Sequence, residues 1–585
     1  MPQTIPLVQH LFRRLRQLNC HSIHGVPGDF FLRALDHIRP SGLNWIGNAN
    51  ELCAGYAADG YARAASQLRR HRSAPSPLVG ALMTTYGVGE LSAINAVAGS
   101  YSEHVPVVHL VGTPSRKAMR EPGVRRPVHH TLGDGRAEVY AEMAKHVTCA
   151  QACLHRIKNT TEAAEAYDEV LERAVRASLP VYVSLGSDMV ELPVPEDLLY
   201  KPLKLEPPKN DKSAEERVVH RILEMLQKSH APLIIADGMS YPFDLQSEIN
   251  ELVSLTNIPT MSFTSGKGLV DESSPSWSPA LPNTTDYSRG ADLVMIFGPL
   301  LSDTNTARWA TIPATDNTIL FDQDSVELPG SVTELVKSKQ VLRGLIDRLK
   351  DVKFGQRADV GVLNLTQSPQ EVAVPSSSDP ITQDSLWPTL SSFLKPEDTL
   401  LLANGTPLIG GRSLQLQPRS QVIASPIWNA IGSMLPSAQG IAAAKRNHQL
   451  PGRTILLEGD GSFQVTCQAI SDIIRYKLDV TVFIANNAGY TYERWLNGMD
   501  AEYNDVPSWR YTEAARFFGA KDNDPSYPIL ARRVDTWGQL QDVLADEKVG
   551  DGKGLKIIDV VMDPKDVPEA SKPGLSRASE ALRSA

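Results

Sequence analysis

Gly459-Asp460-Gly461-Ser462 follows a strand pattern from Arg453 to Glu458, and Asn486-Asn487-Ala488-Gly489-Tyr490 follows a second from Val480 to Ala485. Both clusters put oxygen-bearing groups where a strand gives way to a turn. A carboxylate, an amide oxygen and a carbonyl freed by a glycine turn are hard ligands, the set that suits Mg²⁺ with phosphate oxygens completing its octahedron. A helix beginning after Gly461 adds free N–H groups and the positive end of its dipole for the same phosphates. Either cluster alone reads as a turn or a strand-end cap. The two are separated by the 24 positions 462 to 485, with a helical pattern over Gln464 to Tyr476 between the strands, so together they form one βαβ unit. Its right-handed crossover brings the carboxyl ends of both strands to one sheet edge, where Asp460 and Asn487 can face one ion.

The chain that must position this edge has 585 residues, 42% of them hydrophobic, enough for about three to five domains with their own cores. Three stretches alternate short β-branched runs with amphipathic helical patterns, which predicts an α/β class of three open domains with mainly parallel sheets. The expected boundaries are 1–190, 191–353 and 385–562, with a Ser/Pro/Gln-rich linker at 354–384 and a polar tail at 563–585 that has a short helical possibility at Ser576 to Arg583. No period of 20–50 residues repeats. The balance of 58 Lys+Arg against 67 Asp+Glu, −9 in all, argues against nucleic acid as the main partner. No run of 18 apolar residues and no secretory pattern occurs, and the end Arg583-Ser584-Ala585 is not the peroxisomal Ser-Lys-Leu, so neither a membrane nor secretion is expected. Five cysteines without zinc spacing read as free thiols of a reducing compartment, with cytoplasm the default location.

The Gly-Asp-Gly and Asn-Asn pair at this spacing resembles the signature of thiamine-diphosphate enzymes. That resemblance implies Asp460, the Asn487 side chain and the Gly489 carbonyl as Mg²⁺ ligands, with Gly459, Gly461, Ser462 and Tyr490 around the diphosphate. His24-Gly25-Val26-Pro27-Gly28-Asp29-Phe30 and the stretch from Asn50-Glu51 to Ala62-Arg63 look like the pyrimidine-binding domain of that family, making 385–562 the diphosphate-binding domain. His129-His130-Thr131-Leu132-Gly133 and Tyr490-Thr491-Tyr492-Glu493 are similar to the pyruvate decarboxylase type of 2-oxo acid decarboxylases, and the resemblance covers nearly the whole chain. On its own residues, Glu51 is a first-turn carboxylate after the cap Asn50, His129-His130 a surface doublet, Asp29 a turn residue and Glu493 a solvated helix residue. The resemblance gives Glu51 a hydrogen bond to the cofactor pyrimidine and makes Asp29, His129, His130 and Glu493 the proton-handling set. It further implies Asn404-Gly405-Thr406 as the loop over pyrimidine and diphosphate, Asn429 nearby, and Ile431 as the apolar prop that bends the cofactor.

The function so implied is non-oxidative decarboxylation of a 2-oxo acid, pyruvate first, to an aldehyde and CO₂ with thiamine diphosphate and Mg²⁺. Because Glu51 and Asp460 lie in different domains that the family contributes from different subunits, a homodimer or homotetramer is implied. Tyr492 stands where pyruvate-specific relatives have a small aliphatic residue, and Pro407-Leu408 also departs from the pattern, which keeps indolepyruvate and phenylpyruvate in play. The stretch Ala236-Asp237-Gly238-Met239-Ser240 lacks the regulatory cysteine of yeast-type relatives, so thiol-based activation is not expected. Without a Gly-x-Gly-x-x-Gly in the middle domain, neither NAD nor FAD is expected. The competing readings are a thiamine-diphosphate carboligase and a catalytically dead assembly protein; every expected polar position is filled, which counts against the latter.

Overall fold

The computed structural model describes residues 3–584 apart from 73–76, 121–126, 275, 280–289, 313–314, 331, 351–374 and 522–523. Runs such as Val107–Thr113 and Val181–Gly186 are buried at every position. A strand apolar on both faces needs helices on both faces, the condition that favours parallel sheets. The first sheet is parallel throughout, in the order Asn44–Gly47, Ser22–Gly25, Gly80–Thr85, Val107–Thr113, Val181–Gly186, Gln151–Cys153. The second has a parallel body centred on Pro232–Ala236 and Leu293–Phe297, extended at one edge by the antiparallel Val326–Leu328 and Val332–Glu334. The third is again parallel, in the order Gln421–Ala424, Thr399–Leu402, Thr454–Gly459, Val480–Asn486, Leu555–Val561, Ile529–Val534. These three helix-covered sheets bear out the α/β class. Residues 354–374 of the expected linker lie outside the described residues.

Thr454–Gly459 and Val480–Asn486 are adjacent and end level, Gly459 opposite Ala485. Both polar clusters therefore leave from one edge. The helix between them differs from expectation: instead of one helix from Gln464 to Tyr476 there are two, Asp460–Thr466 and Ala469–Arg475. Extended Gly459 (φ −93°, ψ 155°) ends the strand directly into the first helix, whose dipole favours Asp460 in its first turn. Tight three-residue bonds from Ile470 N–H to Cys467 O and Ser471 N–H to Gln468 O mark the break. The C-terminal helix is also longer than expected, Lys572–Ser584, with Pro573 in its first turn where a missing N–H costs nothing. It packs on Thr491–Leu496, the helix that carries Glu493.

The first and third units share a core in which Ile46, Tyr61 and Leu68 meet Leu401, Leu435 and Ile441. At its centre the helix Glu51–Arg63 packs against Met434–His448. The backbones nearly touch: a Cβ on Gly440 would lie 1.9 Å from the Ala57 carbonyl oxygen, and one on Gly60 2.2 Å from that of Ser437. Gly440→Ala should therefore force the helices apart and cost about 1–3 kcal/mol. A clearly lowered thermal midpoint is expected, and an unchanged one would contradict this packing. All five cysteines are free, and among the described residues no helix is long and apolar enough to cross a membrane.

Candidate active site

Asp460 is buried, and its carboxylate accepts the N–H of Gly461 at 2.7 Å and of Gly489 at 3.0 Å. Among the described residues no cationic side chain pairs with it. Gly489 sits at φ +142°, and a Cβ there would meet the Asn504 carbonyl oxygen at 2.1 Å, so only glycine lets this turn fold back toward Asp460. Asn487 Nδ2 donates to Thr406 Oγ1 at 3.2 Å, which orients the amide and leaves its oxygen available. Asn404, on the neighbouring strand end, has both side-chain amide atoms buried and without partners among the described residues. An uncompensated buried carboxylate, a free amide oxygen, an orphaned Asn and a helix start are what a divalent cation carrying a diphosphate would complete. The residues fit that group.

Burial raises the Asp460 pKa from 3.8 to about 6, against the opposing pull of the Gly461 and Gly489 N–H groups. A carboxyl whose folded-state value is raised favours its neutral form, so this group adds stability to the metal-free fold as pH falls from about 6 toward 3.8. The cation needs the charged form. Its affinity should therefore weaken by about tenfold between pH 7 and pH 5. Calorimetric titration of Mg²⁺ at saturating thiamine diphosphate checks this, and equal affinity at both values would contradict it.

The loop opposite is held from two sides. Ser462 Oγ accepts the Gly432 N–H at 2.8 Å and Thr466 Oγ1 donates to the Gly432 carbonyl at 2.7 Å. Across the units, buried Glu103 accepts the Ser425 hydroxyl at 2.8 Å and the N–H groups of Ile427 and Trp428, each at 3.2 Å. Between these anchors Asn429 takes a left-handed conformation (φ 52°), and Ile427, Trp428 and Ile431 stand exposed. Gly405 caps the helix Thr406–Gly410, so Thr406 opens a helix rather than lying in a loop. Tyr490 is fixed by its N–H to Asn504 O at 2.9 Å, and its ring lies so close over Gly461 that a Cβ there would meet it at 2.7 Å.

A second cluster stands at the end of the first sheet. His129 Nε2 bonds Asp29 Oδ2 at 2.7 Å, its ring stacks on Phe30 at 4.7 Å, and His130 meets it edge-on at the same distance. Asp29, His129 and His130 each bring an oxygen or nitrogen within 4.8 Å of the others. His130 adopts φ 66°, and its carbonyl accepts the Tyr140 hydroxyl at 2.9 Å. Buried Glu90, pushed up to about 7 by burial, accepts the Gly87 N–H at 2.8 Å and the Tyr182 hydroxyl at 2.9 Å, holding the turn on which the His130 carbonyl rests. Glu51 begins its helix behind Asn50, whose side chain accepts the Cys53 N–H at 2.8 Å, and its carboxylate reaches over Gly89. Glu493 is exposed on Thr491–Leu496, whereas neighbouring Tyr492 is buried with its hydroxyl unpartnered among the described residues. No hydrogen bond or ion pair among the described residues joins Glu51, Asp29, His129 or His130 to Asp460 or Asn487.

Sequence reasoning missed Thr406 as the orienter of Asn487, and Glu90, Tyr140 and Glu103 as supports. A carboxylate in an otherwise apolar helix was the available signal for Glu90.

Residues 6–147 match the model of the thiamine pyrophosphate enzyme N-terminal TPP binding domain, 219–345 that of the central domain and 406–560 that of the C-terminal TPP binding domain. The chain is 38% identical to a pyruvate decarboxylase of Aspergillus parasiticus, over 97% of this chain and 96% of that one. It is 34% identical to the pyruvate decarboxylase of Kluyveromyces lactis, over 96% of each chain, and 33% identical to pyruvate decarboxylase isozyme 1 of Saccharomyces cerevisiae, over 97% of each. With both TPP-binding domain types in one chain and near-complete coverage of these relatives, this protein belongs to the thiamine-diphosphate-dependent enzymes of the pyruvate decarboxylase family.

Proposed function

We propose that this protein decarboxylates a 2-oxo acid, with pyruvate as the first substrate, to an aldehyde and CO₂, using thiamine diphosphate and Mg²⁺. The observation that carries the reading is Asp460, a buried carboxylate without a counter-ion among the described residues, on the same sheet edge as Asn487. When bound, thiamine diphosphate supplies the electron sink that a departing carboxylate otherwise lacks. Asp460, Asn487 and the Gly489 carbonyl would hold the metal, with Gly459, Ser462 and Tyr490 around the diphosphate and Asn404, Gly405 and Thr406 above it. Ile431 would support the bend of the cofactor. Glu51 would hold a proton at the pyrimidine, while Asp29, His129, His130 and Glu493 move protons at the reacting carbon.

Exposure supports a second copy. The side chains of His129 and Asp29 are 56% and 52% exposed, and Ile431 is 41% exposed, in a site whose chemistry favours exclusion of water. A homodimer in which Glu51 of one protomer meets Asp460 of its partner would cover all three. The free thiols support a cytoplasmic location. Aldehyde formation should be measured with pyruvate, phenylpyruvate and indolepyruvate in the presence of thiamine diphosphate and Mg²⁺. Turnover of pyruvate is the expected result, and silence on all three would refute the assignment. Acetoin or acetolactate as sole product would make the protein a carboligase instead.

A further inference from the structure

A cavity of about 560 Å³ opens where the three units meet, away from both sheet edges described above. Its cations are Arg69, Arg70 and Arg72, at the end of the helix Ala65–His71 and just beyond, together with Lys339 and Arg419. They face three carboxylates, and one of these, Glu272, is already matched by buried Lys267 at 3.1 Å. A second, Asp244, is shared by Arg69 at 2.9 Å and Lys339, which also reaches buried Glu248 at 3.7 Å. The third, Asp271, accepts the N–H and hydroxyl of Ser273 and caps its own turn. Arg419 pairs with Glu397, which also takes His71 at 3.1 Å, and among the described residues Arg72 bonds the neutral partners Asn19 and His448.

Arg70 is left over. Among the described residues it has neither a carboxylate partner nor a hydrogen bond, and its Nε is buried without an acceptor. Burial lowers its pKa, with Glu397 and Tyr241 pulling it back up and Arg419 adding to the fall. A guanidinium in this condition costs free energy unless an anion reaches it.

We propose that this three-unit cavity is a binding site for a small organic phosphate, with Arg70 as its central ligand and Arg419, Arg69 and Lys339 around it. A planar guanidinium fork matches phosphate oxygens in pairs. A phosphate monoester carries close to two negative charges near neutral pH, which answers the surplus of cations better than one carboxylate does. The cavity exceeds what inorganic phosphate alone fills and lies in the size range of small-molecule sites.

The test is equilibrium dialysis of the holoenzyme, saturated with thiamine diphosphate and Mg²⁺, against labelled glycerol 3-phosphate and, separately, labelled inorganic phosphate. One saturable site per chain is expected for glycerol 3-phosphate, with weaker binding of inorganic phosphate. Arg70→Ala should raise its Kd by about tenfold or more, and Arg70→Lys, which keeps the charge and loses the fork, by less. Thermal midpoints and circular dichroism establish that each variant is folded; should Arg70→Ala fail, Arg70→Lys and Arg419→Ala carry the comparison. Absence of saturable glycerol 3-phosphate binding would overturn the proposal, as would an unchanged Kd in the folded Arg70 variants. Inorganic phosphate bound as tightly as glycerol 3-phosphate would overturn the organic-phosphate assignment.

Discussion

Glu51→Gln should lower aldehyde formation by about 10²–10⁴-fold, the range that a positioned acid–base group contributes, while the protein still folds and binds cofactor. Glutamine keeps the size and the first-turn position behind Asn50, so the helix start and its packing against Met434–His448 are undisturbed. What it loses is the ability to take and return a proton. Hydrogen exchange at C2 of the bound cofactor, followed by NMR, should stop in the variant. Continued exchange at the wild-type rate would remove Glu51 from its role even if turnover fell.

Asp460→Ala should weaken Mg²⁺ and thiamine diphosphate together, by at least about a hundredfold, because one hard anionic ligand of the cation disappears. The metal-free protein should behave in the opposite sense. Near pH 7 the wild-type carboxylate is held charged in a buried position that prefers it neutral, so its removal should leave the thermal midpoint of the apoprotein unchanged or raised. A lowered apo midpoint with unchanged cofactor affinity would mark Asp460 as a structural residue. The two variants also test the shared site. In the proposed homodimer, inactive Glu51→Gln and Asp460→Ala chains, unfolded and refolded together in equal amounts, would give mixed dimers in which one site carries both defects and the other neither. Recovery of about a quarter of wild-type activity is expected, and none if both residues act within one chain.

The edge proposed to hold the metal and diphosphate is legible in the sequence because its chemistry is local. Asp460 and Asn487 each sit at a strand end, and the βαβ rule alone brings those ends together. The parallel sheets were legible for a similar reason, since runs such as Leu293–Phe297 are apolar without alternation. The supports were not. Glu103 grips the Ser425–Trp428 segment, and Thr406 orients Asn487, through contacts that no spacing announces because they join residues far apart in the chain. The helix start was misplaced by a few residues because Asp460 serves both as a candidate ligand and as the acidic first-turn residue that the dipole favours. Tyr492 is buried beside exposed Glu493, because successive residues of a helix face different ways.

The decisive experiment is a crystal structure of the protein grown with thiamine diphosphate and Mg²⁺. One metal ion should be bound by Asp460, the Asn487 side chain and the Gly489 carbonyl, with Glu51 of a second protomer against the pyrimidine. Cofactor density elsewhere, or Asp460 and Asn487 turned away from each other around an empty edge, would contradict it.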